Sequence, residues 1–113
     1  MSTRLLVLES LTRQWYNGAM IKVSKQSSQR QLLEGWAIDK KLGLIKSYQT
    51  KNFVDSIRLG VEIAELAELM GHHPRLVIDY AELEVSSITH SEGGLTDKDY
   101  ELAKNIDKIY NEG

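Results

Sequence analysis

Leu5, Leu8, Leu11 and Trp15 recur at helical spacing and Asn17-Gly18 stops the pattern, which predicts a short amphipathic helix near the start of the chain. Residues 27–33 read as a second helix with a serine cap, ending near Gly35. From Trp36 the period shortens to two. Trp36 and Ile38 alternate with Ala37 and Asp39, Lys40-Lys41-Leu42-Gly43 can turn the chain, and residues 44–50 supply a partner strand. Residues 52–70 carry the strongest helical pattern, with Asn52 as the N-cap and Asp55 complementing the first turn. This helix has two apolar stripes. Phe53, Ile57, Val61 and Ala64 lead to Glu68 on one, and Leu59, Ile63, Leu66 and Met70 form the other. Gly71 takes the C′ position and Pro74 blocks any restart. Residues 76–80 and 83–89 read as two further strands, and Ala81-Glu82 between them is too short for a crossover, so the pair is antiparallel. Thr96 caps a last helix with Asp99 at its third position, a capping-box arrangement, and Leu102, Ile106 and Ile109 form its inward face.

The element order is helix, hairpin, long helix, hairpin, helix. That order predicts an α+β domain: a four-stranded antiparallel sheet with helices packed on one face. One stripe of the long helix is expected to cover the sheet. The other is expected to meet a further helix or another subunit, and the open sheet edges offer a second route to pairing.

Composition narrows the function. A chain of 113 residues makes one ordinary domain. It has no cysteine, which excludes a disulfide framework, a thiolate zinc site, an iron–sulfur cluster and a cysteine nucleophile. The longest apolar run, Leu5-Leu6-Val7-Leu8, is far short of a membrane span, so a cytoplasmic protein without membrane contact is expected. The net charge of −2 hides an asymmetry: residues 1–60 carry ten basic and four acidic side chains, residues 61–113 four and twelve. The basic residues are scattered and have no interleaved aromatics, which reads as a solvated face rather than a surface for direct nucleic-acid binding.

All three histidines, His72, His73 and His90, lie within nineteen residues. Imidazole titrates near neutral pH, so such clustering flags acid–base or metal chemistry. His72 and His73 follow the long helix and His90 ends the fourth strand. An antiparallel hairpin returns the end of strand four to the start of strand three, which brings His90 beside the other two. The rings could instead cap helix carbonyls, or bind a metal, although adjacent histidines seldom ligate one ion and no Glu-x-x-His or His-x-His pair is present. Taken alone, Asp99 is a helix-start acid and Glu68 a solvated helix residue one turn before His72.

Together these residues form a pattern. Glu68-Leu-Met-Gly-His72-His73-Pro74 is followed by five residues and Tyr80, nine more and His90, eight more and Asp99. This resembles the signature of the pterin-4a-carbinolamine dehydratases. Thr89-His90, Gly94-Leu95-Thr96 and Tyr48-Gln-Thr-Lys-Asn-Phe53 match the family pattern as well, and the resemblance covers residues 27–110. It implies a hydro-lyase that converts 4a-hydroxytetrahydropterin to quinonoid dihydropterin in tetrahydrobiopterin recycling, with no metal or redox cofactor. By that resemblance His72, His73 and His90 are catalytic. His72 and His90 carry proton transfer, His73 helps hold the pterin, Glu68 orients a histidine and Asp99 supports the site. A homodimer or homotetramer is implied too. The alternative is an oligomeric protein-interaction module, a transcriptional dimerisation cofactor or assembly factor, for which the long helix is the surface.

The sequence departs from the family at three places. Gly71 stands where many members have an acid or asparagine. Leu76 replaces a large aromatic expected to line the pterin pocket. Ser87 interrupts an apolar row, Leu83 and Val85, where leucine is usual. Residues 1–23 have no counterpart and form an N-terminal extension; residues 24–113 form the dehydratase-like domain.

Overall fold

The structure, a computed structural model, describes residues 32–112. The helices expected near residues 5–15 and 27–33 lie outside this span, except Leu32 and Leu33, which are not helical. The described chain runs β1 (Ala37–Asp39), β2 (Gly43–Gln49), α1 (Phe53–Met70), β3 (Arg75–Asp79), β4 (Glu82–Ser87), a 3-10 turn (His90–Glu92) and α2 (Asp97–Glu112). The strands form one antiparallel sheet in the order β1-β2-β4-β3, which agrees with the α+β architecture read from the sequence.

Strand periodicity decides which face is covered. Leu44, Lys46 and Tyr48 share one face of β2 and Leu83, Val85 and Ser87 one face of β4, and the register aligns Leu44 with Ser87, Tyr48 with Leu83 and Leu76 with Val85. All fall on one face. Against it pack Leu59, Ile63, Leu66 and Met70 of α1 with Leu102, Ile106 and Ile109 of α2, forming a single core. Of the two stripes of α1, one covers the sheet as expected. The Leu59 stripe is buried, whereas Phe53, Val54, Ile57, Val61 and Leu69 are 42–53% exposed among the described residues.

Local chemistry sets the boundaries. Asn52 Oδ1 accepts the Asp55 N–H at 2.8 Å and starts α1; Gly71, with φ 67°, ends it in the left-handed region. Gly43 opens β2 with φ 83°, and a Cβ there would collide with the Ser87 carbonyl oxygen, so only glycine allows β2 to lie this close to β4. A half-buried carboxylate fastens α2 to the sheet. Asp107 accepts from Tyr48 Oη at 2.6 Å, Lys46 Nζ at 2.8 Å and Trp36 Nε1 at 3.0 Å. Burial, with the Asp107 hydrogen bond, pushes the Tyr48 hydroxyl far above its ordinary range, so it remains a donor.

Candidate active site

The end of α1, the start of β3, the end of β4 and the start of α2 meet at one end of the sheet, and Glu68, His72, His73, Pro74, His90 and Asp99 lie there, whereas Tyr80 of the same motif sits in the β3–β4 turn at the other end. Gly71 turns the chain out of α1, and its positive φ explains why glycine can stand where an acid or asparagine is usual. Pro74 keeps His73 extended, and consecutive side chains of an extended stretch diverge, so His72 and His73 find different surroundings.

His72 turns inward. Its Nε2 lies 2.7 Å from Asp99 Oδ1 and 3.2 Å from Ser87 Oγ. Asp99 is fully buried and is met by donors on both oxygens. Ser87 Oγ donates to Oδ1 at 2.6 Å, Thr89 Oγ1 to Oδ2 at 2.7 Å and the Thr96 N–H to Oδ2 at 2.9 Å. The last bond closes the capping box, since Thr96 Oγ1 accepts the Lys98 N–H at 3.2 Å in return. Burial alone would raise the Asp99 carboxyl. The bonds from His72, Ser87, Thr89 and Thr96 outweigh it and hold the group below its ordinary range. An ionised carboxylate only accepts, so His72 must present Nε2–H to it, and Nδ1 is the ring atom left to take up a proton.

His73 is exposed and its Nε2 lies 2.8 Å from Glu68 Oε2, so Glu68 partners His73 rather than His72. His90, also exposed, opens the 3-10 turn that follows β4. His73 and His90 line one cavity of about 310 Å³ with Lys41, Leu42, Pro74, Arg75, Ser86 and Ile88. The expectation of three converging imidazoles thus needs a correction: two share the cavity, while His72 is not among its lining residues and is seated on Asp99. Leu76 needs one too. It packs against the core from the helix-covered side, so the missing aromatic does not alter the lining of this cavity. Arg75 is paired with Glu84 at 2.8 Å. A larger cavity of about 590 Å³, lined by Gln49, Lys51, Arg58 and Tyr110 among others, contains no histidine. Among the described residues no group of three or more His, Asp or Glu is arranged to hold a metal ion.

Ser87 is the residue whose part sequence reasoning missed. The signal was present: a hydroxyl at an inward position of an alternating strand needs a partner when buried.

The sequence profile of the family described as Pterin 4 alpha carbinolamine dehydratase matches residues 21–109. The chain belongs to this family. A relative from Sulfolobus acidocaldarius, which carries the provisional name pterin-4-alpha-carbinolamine dehydratase, is 40% identical over 91 residues, 79% of this chain and 99% of the relative. A relative of the same provisional name from Aquifex aeolicus is 39% identical over 93 residues, 80% of this chain and 93% of the relative. Among solved structures, a transcriptional coactivator/pterin dehydratase from Brucella melitensis superposes with a TM-score of 0.64 at 29% identity, covering 68% of this chain and 83% of that one. No helix among the described residues is long and apolar enough to cross a membrane.

Proposed function

We propose that the chain dehydrates a 4a-hydroxytetrahydropterin to the quinonoid dihydropterin at the cavity lined by His73 and His90, as a cytoplasmic enzyme of tetrahydrobiopterin recycling. Residues 24–113 form its catalytic domain and residues 1–23 an extension. The observation that carries this reading is the pairing of two cavity-facing imidazoles with a third, His72, anchored beside them on a buried carboxylate.

The chemistry asks for little more. The substrate is a hemiaminal. The N5 lone pair pushes toward C4a as the C4a–O bond breaks, an acid protonates the departing hydroxyl to water, and a base removes one proton from the resulting pterin cation. One proton is given and one taken, so no redox equivalent is consumed. His90 is the donor in this reading. Glu68 accepts Nε2–H of His73, which leaves His73 Nδ1 free to hold the pterin or to take its proton. His72, with Nε2 fixed by Asp99, supplies a further exchangeable nitrogen at Nδ1. Positioned groups of this kind contribute ~10²–10⁴-fold each. The test is to generate 4a-hydroxytetrahydropterin with a pterin-dependent hydroxylase and follow quinonoid formation by absorbance. A rate enhancement that falls by ~10²-fold or more in His90→Ala supports the reading. No enhancement by the wild-type protein, or one that His90→Ala and His72→Ala both leave intact, counts against it.

A second reading concerns assembly. The outer stripe of α1 presents Phe53, Ile57 and Val61 to solvent, an apolar run on a helix that one sheet face does not use. We infer that a second copy of the chain covers it, as a homodimer or homotetramer. The name of the Brucella structure extends this to protein partnership in transcription, a role for which the same stripe is the available surface.

A further inference from the structure

Ser87 is the last residue of β4, and its side chain is 3% exposed in a row shared with Leu83 and Val85, both fully buried. A hydroxyl in such a row is costly unless bonded. It has one proton to give, and the distances decide where it goes: 2.6 Å to Asp99 Oδ1 against 3.2 Å to His72 Nε2. The shorter, charge-assisted bond takes the proton. That leaves an Oγ lone pair near the Nε2–H of His72, which thus has two acceptors, Asp99 Oδ1 and Ser87 Oγ. Turning the ring away from Asp99 would also take it away from Ser87. The serine itself is held from behind, because Gly43 packs against its carbonyl oxygen and Leu44 pairs with it across β2 and β4.

We infer that Ser87 is a positioning residue for His72: its hydroxyl binds Asp99 Oδ1 and backs the imidazole, so that the orientation of the ring and the tautomer with Nδ1 free are both set from β4. Asp99 alone could hold the ring by one bond about which it can swivel; Ser87 removes that freedom. This role rests on the reading of His72 as part of a proton-transfer site, but the contact acts on Asp99 whether or not a pterin is the substrate. The Thr89 and Thr96 bonds serve the other carboxylate oxygen and would persist without Ser87.

The test uses the full chain with Ser87→Ala, which deletes only the oxygen, and Ser87→Cys, which keeps the shape with a weaker donor. Two readouts are followed against pH: the side-chain ¹³C carboxyl signal of Asp99 and the rate of 4a-hydroxytetrahydropterin dehydration. Loss of a donor makes the carboxylate more basic, so in Ser87→Ala the carboxyl midpoint moves up by about one pH unit. The acid limb of the rate profile moves the same way, and kcat falls about tenfold with KM changed less than about twofold. Ser87→Cys lies between wild type and Ser87→Ala in each respect. If Ser87→Ala lowers only the melting temperature and leaves the carboxyl titration where it was, Ser87 is a packing residue and the inference is overturned. Should Ser87→Ala not fold, an unmoved carboxyl midpoint in Ser87→Cys overturns it equally. A wild-type protein without dehydratase activity removes the functional reading alone, because the carboxyl titration still decides the role of Ser87.

Discussion

Asp99 concentrates more of the site's polar bonding than any histidine does. Its two oxygens receive His72, Ser87, Thr89 and the Thr96 N–H, so one buried charge both starts α2 and seats an imidazole. An asparagine would keep the shape but turn one acceptor into a donor facing donors. Asp99→Asn is expected to destabilise the fold by about 2–4 kcal/mol, read from denaturant unfolding. The pH dependence has a definite sign. A carboxyl held below its unfolded value stabilises the fold fully above that value, about 3.9, and loses the contribution as pH falls through the lower folded one. Melting temperature should therefore drop more steeply below about pH 4 in the wild type than in Asp99→Asn; parallel curves would show that the carboxylate is not the group responsible. His73 and Glu68 offer a contrast. Both are exposed, and an exposed pair contributes little to stability. Glu68→Gln should leave the melting temperature within about 1 °C of wild type, and a large loss of stability would mean the pair is more than a surface contact.

The elements that could be read from the sequence are those whose local rules agree with their packing. α1 was legible to the residue because Asn52 at one end and Gly71 at the other are backed by an apolar period between them. The second hairpin was legible because a two-residue gap permits no crossover, although the turn is Tyr80-Ala81, with Tyr80 at φ 55°, and Glu82 already belongs to β4. β1 was less so: it is three residues long, and Trp36 lies just before it rather than within it, held by Asp107 from a helix seventy-one residues away. Nothing local to Trp36 announces that partner. The histidines show the same limit. Chain topology predicted His90 beside both His72 and His73, and the cavity joins it to His73; the inward turn of His72 depends on a buried acceptor, and the alternation of residues says only that neighbours diverge, not which one goes in. Gly43 carries the prediction at this scale. It needs positive φ and tolerates no Cβ against Ser87, so Gly43→Ala should cost at least ~2 kcal/mol in denaturant unfolding. Gly71→Ala has open space around its would-be Cβ and should cost only ~1 kcal/mol. Equal costs would mean that the β2–β4 contact at Ser87 is not as close as described.

At the scale of the molecule, the sheet has helices on one face and a histidine-lined cavity at one end, and the outer stripe of α1 is left over. The stripe bears on assembly. Ile57→Glu or Val61→Glu places a charge where a second copy is proposed to sit, and light scattering after size exclusion should show a fall in mass with the melting curve still cooperative. A wild-type chain that runs as a monomer, or variants that keep the wild-type mass, would remove the assembly proposal without touching the cavity. Substitutions at Leu59 or Ile63 could not serve, since both are core residues and a charge there would unfold the domain. The cavity carries the central claim, and its most direct test is a crystal structure with a bound 7,8-dihydropterin. The account predicts the bicyclic ring between His73 and His90, with His72 still on Asp99. A pterin bound instead in the larger cavity, against Arg58 and Tyr110, would contradict it.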